Sequence, residues 1–257
     1  MENDLVKAQS FADKILKITH KLVVGPNKAG TLFARIIEGV FRRDYLTLYT
    51  VHHLSQTRED ERVVFGNSCM DLSRRVLEDL ICVEYILMKG KDESSKKFAD
   101  FKSVEAKRDL DYLKDAGLMI DKALEEVTNR EYDSIKKRFT DSKGNVRKSW
   151  AGLDTESMIK ELLDKKIIRE DEKRTLIQAY LIGNSKNHFS PSDIFNHLYQ
   201  DLFNFNNQSD LVLSLISITC SVTRLAVIFG EEYDIDPEIK NSIQKTWDEL
   251  LVAHLTK

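Results

Sequence analysis

Three groups of residues in this 257-residue chain have types and spacing that could do chemistry. The first is Arg74, Arg75 and Glu78. Arg75 stands four residues after Asp71 and three before Glu78, and Arg74 stands four before Glu78, so on a helix they can touch along one face. Arginine offers a planar fork that matches phosphate or carboxylate. The group therefore reads either as an anion clamp oriented by Glu78 or as an intrahelical ion-pair ladder. The second is Glu84, alone in the run ICVEYIL with Leu80, Ile81, Leu87 and Met88 as helical neighbours. Burying a lone carboxylate there is costly, so it requires a partner: an arginine such as Arg108 or Arg224, a histidine, or a metal. The third is the stretch NSKNHFSPS at residues 184–192. Ser190 has the character of an N-cap and Pro191 of a first helical residue. A helix start presents free N–H groups, so Asn187, His188, Ser190 and Ser192 can frame a phosphate or carboxylate there. The plainer alternative is a loop histidine bonded to a neighbouring carbonyl.

Other chemistries find less support. His52 and His53 are adjacent, point in different directions on a helix, and make a poor shared metal site. HExxH, ExxH, P-loop, GxGxxG and GxSxG patterns are all missing, so no metal ligand is assigned and no cofactor is named. Residues 130–148 hold seven basic against three acidic side chains, with Tyr132, Phe139 and Trp150 interleaved or close by. That pattern fits either a local nucleic-acid edge or a solvated helix end.

The elements that must position these groups are helices. Only 10 glycines and 3 prolines punctuate the chain. Apolar residues recur at helical spacing over residues 3–22, 29–54, 67–89, 93–116, 121–139, 154–165, 170–183, 190–205, 210–229 and 236–254. Residues 57–66 read as a charged loop, with Asn67 or Ser68 capping the next helix. The fold expected is an all-α bundle of nine or ten helices and no significant sheet. It forms one domain over residues 1–257, with 93–139 as a charged hairpin on the main bundle. The helix at 67–89, apolar most of the way round, is expected at its centre, crossing the apolar helix at 210–229. That second helix is long enough to span a membrane, but Arg224 and its Ser/Thr run favour a buried core helix, so no membrane is expected. Charged residues are 32% of the chain with formal net charge -3, which gives no global case for nucleic-acid binding. Cys69, Cys82 and Cys220 lack CxxC spacing and read as buried thiols in a reducing, cytoplasmic compartment.

Several short motifs together resemble a bacterial all-helical family catalogued only as a domain of unknown function, family number 5677. They are SRRVLED and Tyr85 on the central helix, Phe98 and Arg108 on the next, Trp150-Ala151-Gly152, Tyr180, and His188-Phe189-Ser190-Pro191. The resemblance covers about residues 30–230 and implies an all-α bundle with Arg75, Glu78, Arg108 and His188 as the positions to watch. More loosely the chain is similar to HEPN helical bundles, whose ribonuclease members carry an arginine four to six residues before a histidine. No histidine here has that arginine, and Asn184 stands where it would precede His188.

The function expected is an intracellular binding or effector protein of a bacterial defence or stress system. In it Arg74, Arg75, Glu78, Glu84, Arg108, Asn187, His188 and Ser190 serve an anionic ligand, a nucleotide or an RNA phosphate. One alternative is a ribonuclease or other phosphodiester hydrolase with His188 as acid/base, Glu78 beside it and Arg75 or Arg108 stabilising charge. The other is a protein-interaction module whose buried charges are structural. A homodimer is left open. Mutual approach of Glu78, Glu84 and His188 around an open cavity would favour the first two readings; separate ion pairs would favour the third.

Overall fold

The computed structural model describes residues 2–24, 30–168, 180 and 206–252. Among them are eight α-helices, a short 3-10 turn, and no strand beyond one isolated bridge between Thr140 and Val146. The helices are α1 (Glu2–Val24), α2 (Leu32–Ser55), α3 (Glu59–Lys89), α4 (Lys91–Asp115), α5 (Lys122–Ile135), α6 (Thr155–Asp164), α7 (Asn206–Glu232) and α8 (Pro237–Leu250). The expected helices at 170–183 and 190–205 lie outside the described residues. The chain divides into two compact units, residues 1–84 with 162–257, and residues 85–161. The division falls inside α3 and inside α6.

Within the first unit, α7 is the helix buried on nearly every side. From Ser217 to Phe229 all but Arg224 and Val227 are buried. It packs on α1, α2 and α8, most extensively on α2. Both of its buried threonines back-bond, Thr219 Oγ1 donating to the Leu215 carbonyl and Thr223 Oγ1 to the Thr219 carbonyl at 2.6 Å, while the buried Ser217 and Ser221 hydroxyls have no partner among the described residues. It is also the only helix among the described residues long and apolar enough to cross a membrane, and 72% of its most apolar window is buried in the fold. Phe229 anchors the α2–α7 contact, with its ring 5.2 Å from Phe41 and stacked 4.2 Å from Tyr233.

Two expectations need correction. Residues 59–66 are helical, not a loop, so α3 starts eight residues before Asn67 and neither Asn67 nor Ser68 is its cap. No proline interrupts that segment, and the acidic run Glu59-Asp60-Glu61 is of the type favoured at a helix start. Moreover α3 is not apolar all round. Gly66, Cys69, Met70, Ser73, Val76, Leu77, Leu80 and Ile81 form one buried stripe, while Ser68, Asp71 and Arg75 are exposed. Only from Val83 to Ile86 are four consecutive residues buried. None of the three cysteines forms a disulfide, and burial pushes the Cys69 thiol up to about 11, which makes it a poor nucleophile.

In the second unit α4 and α5 form the charged antiparallel hairpin. Gly117 closes α4 in the left-handed region at φ +73°, with Leu118 N–H donating to the Leu113 carbonyl at 3.0 Å. Asp121 caps α5 through its carboxylate, which accepts from Ala123 and Leu124 N–H.

Candidate functional site

Of the residues singled out on α3, Arg74, Glu78 and Glu84 each have a partner. Arg74 Nε donates to Glu78 Oε1 at 3.1 Å, and its guanidinium lies 5.9 Å from the centre of the Tyr180 ring. Glu84 is 5% exposed and accepts from Arg224 Nε at 2.6 Å, so of the two arginines expected as candidates it is Arg224 that pairs with it. This contact is also where α3 meets α7. Glu78 and Glu84 thus sit in separate ion pairs. Arg75 is exposed. Asn187, His188 and Ser190 lie outside the described residues.

The first unit holds a carboxyl that sequence reasoning missed. Asp44 is fully buried, and its carboxyl lies against that of Asp79. Arg43 Nε is 3.7 Å away, while the same arginine also bonds Asp79. Burial, then the neighbouring Asp79 carboxylate, pushes the Asp44 carboxyl up to about 9, and Arg43 and Arg75 only partly oppose this. Burial and the neighbouring carboxylate thus favour the protonated form of Asp44, which is closed off from solvent.

The second unit gathers cations around an open space. Glu93, Lys96, Lys97, Arg138, Phe139, Arg147 and Trp150 line a cavity of about 420 Å³. Lys96 and Lys97 come from the start of α4, Arg138 and Phe139 from the 3-10 turn after α5, and Arg147 and Trp150 from the loop that follows. Lys97 pairs with Glu93 at 2.8 Å and Arg138 with Asp100. Lys96 and Arg147 are exposed and make no salt bridge with a described residue. Trp150 is 8% exposed, and its indole N–H is buried without a hydrogen-bond partner among the described residues. An unmet buried donor costs about 1–3 kcal/mol, and the residue that carries this one lines the cationic cavity.

The loop that carries this site is held firmly. Asp141 accepts from Asn145 and Lys143 N–H at 2.8 Å, which lowers its pKa and closes a turn at Lys143-Gly144-Asn145, with Gly144 at φ +84°. Arg147 N–H donates to the Phe139 carbonyl at 2.7 Å. Arg108 donates to the carbonyls of Arg147 and Lys148, the latter at 3.2 Å, and lies 5.5 Å from the centre of the Phe101 ring. Its guanidinium is thus engaged in holding the loop. Trp150 is wedged edge-on between Tyr85 and Phe98, at 5.9 and 5.7 Å between ring centres. Gly152, at φ +73°, lets the Arg147 side chain lie close: a Cβ there would come within 3.2 Å of its guanidinium.

Residues 36–206 match the model of a family described as a family of unknown function, DUF5677. The chain belongs to that family. No curated protein and no solved structure matches it. The DUF5677 segment runs from within α2 to the first residue of α7 and includes the whole cationic cavity, within the narrower bounds of the expected 30–230. Neither comparison extends the likeness to HEPN bundles. Among the described residues of this DUF5677 member, no group of three His, Cys, Asp or Glu side chains is placed to hold a metal ion. The basic run at 130–148 pointed to half of the cavity. Lys96 and Lys97 were missed because their only signal was a pair of lysines near the start of a charged helix, a pattern common on solvated surfaces.

Proposed function

We propose that this DUF5677 protein binds a phosphorylated ligand, a nucleotide or the phosphates of RNA, in the cationic cavity of residues 85–161. One observation carries the reading: Lys96 and Arg147, which make no salt bridge with a described residue, line a space of 420 Å³ together with Trp150, whose buried N–H has no partner among the described residues. That volume lies within the range of about 300–1,000 Å³ typical of small-ligand sites. Phosphate oxygens accept from all three donor types, and a lysine or arginine contact to an anion contributes about 1.5–3 kcal/mol. Binding of labelled mononucleotides and of short single-stranded RNA, followed by fluorescence polarisation, tests it. The double substitution Lys96→Glu, Arg147→Glu should weaken affinity by at least about ten-fold and leave the melting temperature unchanged, because both side chains are exposed. Affinity should also fall as salt rises. Unaltered affinity in the double variant rules the cavity out.

A second reading, a protein-interaction surface, is favoured by the tip of the α4–α5 hairpin. Tyr112, Leu113, Leu118, Met119, Leu124 and Val127 are all exposed there, Met119 completely. If that tip joins two copies of the chain, sedimentation will show a concentration-dependent dimer that Leu118→Ser, Met119→Ser returns to monomer; a monomer at all concentrations excludes self-association through it.

A further inference from the structure

The other chemistry-rich space lies in the first unit, along the packed faces of α1 and α2. Three of the chain's six histidines, His20, His52 and His53, line one cavity of 460 Å³ with Tyr45, Tyr49 and Gln56. The spacing explains the gathering. On α1, Asp13, Lys17 and His20 fall on one face; on α2 and its C-cap, Tyr45, Tyr49, His52 and Gln56 do the same, with His53 at the edge of that face. The separation of 32 positions between His20 and His52 hid the cluster from any local motif.

The lining is rich in flat rings and poor in net charge. His20 Nδ1 is 3.1 Å from the Tyr45 hydroxyl, and the two rings are tilted by 41°. Tyr49 is 57% exposed and His53, four residues later on the same helix, is exposed as well. The Gln56 amide nitrogen sits 3.3 Å from His52 Nε2 at the far end. Apart from histidines, the only ionisable groups that are charged at neutral pH are Asp13 and Lys17, and these pair with each other at 2.5 Å. Burial lowers the pKa of the His52 imidazole, which favours its neutral form. Such a site has little to offer a bare anion, and no described cluster is placed to hold a metal.

We propose that this cavity takes a nucleobase, an uncharged planar nitrogen heterocycle, stacked on the exposed Tyr49 and His53 rings with its edge hydrogen-bonded by the Gln56 amide and the imidazoles. Aromatic and histidine faces stack bases of any sequence, and a glutamine amide pairs two-fold with a base edge. This inference does not rest on the cationic cavity, whose residues belong to the other unit.

The test uses the full chain and follows the ring proton signals of the histidines by NMR, assigned through His→Asn variants. Adenosine and uridine, which carry a base and no phosphate, should shift the His20 and His53 signals in a saturable way. Tyr49→Ala with His53→Ala should weaken that binding by about ten-fold. Lys96→Glu should leave it unchanged. The proposal is overturned if the nucleosides leave these signals in place, if inorganic phosphate alone produces the same shifts, or if the double alanine variant binds adenosine as well as the parent chain.

Discussion

Replacing Arg224 with methionine is expected to lower stability by about 3 kcal/mol. Glu84 is 5% exposed and its carboxylate is bonded by Arg224 Nε at 2.6 Å, a charge pair that joins α3 to α7. Methionine keeps the apolar stem of the side chain and removes only the guanidinium, so the loss reports the stranded carboxylate and not a cavity. Restoring balance should restore stability. Arg224→Met combined with Glu84→Leu should recover most of the loss, since a buried ion pair replaced by apolar residues of similar volume is often neutral. Urea unfolding of the two single variants and the double closes a thermodynamic cycle. A double variant no more stable than Arg224→Met would mean that the pair is not the source of the effect.

Replacing Asp44 with asparagine is expected to do the opposite. In the unfolded chain this carboxyl ionises near 3.8; in the fold it is pushed up to about 9 by burial and by Asp79. Between those two pH values the folded state holds a proton that the unfolded state has released. The group's contribution is therefore intact below about pH 4 and is lost progressively as pH rises toward 9. Asparagine has no proton to lose, and it fills the same space. The variant should match the parent near pH 4 and exceed it by an amount on the order of 2 kcal/mol at pH 8. Unfolding curves at pH 4, 6 and 8 read this directly. A gap that stays constant across that range would show that Asp44 is already ionised in the fold.

The residues show what was legible in the sequence and what was not. The all-α fold followed from the helical spacing of apolar residues, and the Asp121, Asp154 and Asp236 starts were readable because each is followed by an amphipathic turn. The α3 charges were over-read: Arg74 and Glu78 are a four-residue pair of the ordinary kind, and Glu84 is answered by a residue 140 positions away. No local pattern can name such a partner. Asp44 did carry a signal. It lies three residues after Phe41 and four before Leu48, on the stripe that buries Phe33, Ile37, Phe41, Leu48 and Val51. Its place in RRDY, beside two arginines, made it look solvated. The cationic cavity required knowing that the loop after α5 returns to the start of α4, and that return is fixed by the Phe101–Phe139 and Phe98–Trp150 ring contacts. Those contacts depend on tertiary packing between residues about 40–50 positions apart.

The central claim is that the unpartnered Trp150 N–H and the cations around it await an anionic ligand. The chain has two tryptophans, Trp150 in that cavity and Trp247 in the apolar cluster with Cys220, Leu250 and Leu251. Each gives one indole N–H signal in a nitrogen-proton NMR spectrum, so the second is a built-in control. Titrating the full chain with inorganic phosphate and then with a mononucleotide should move the Trp150 signal downfield, as a donor gains an acceptor, while the Trp247 signal stays in place. A Trp150 signal that remains fixed up to saturating phosphate and nucleotide would contradict the account.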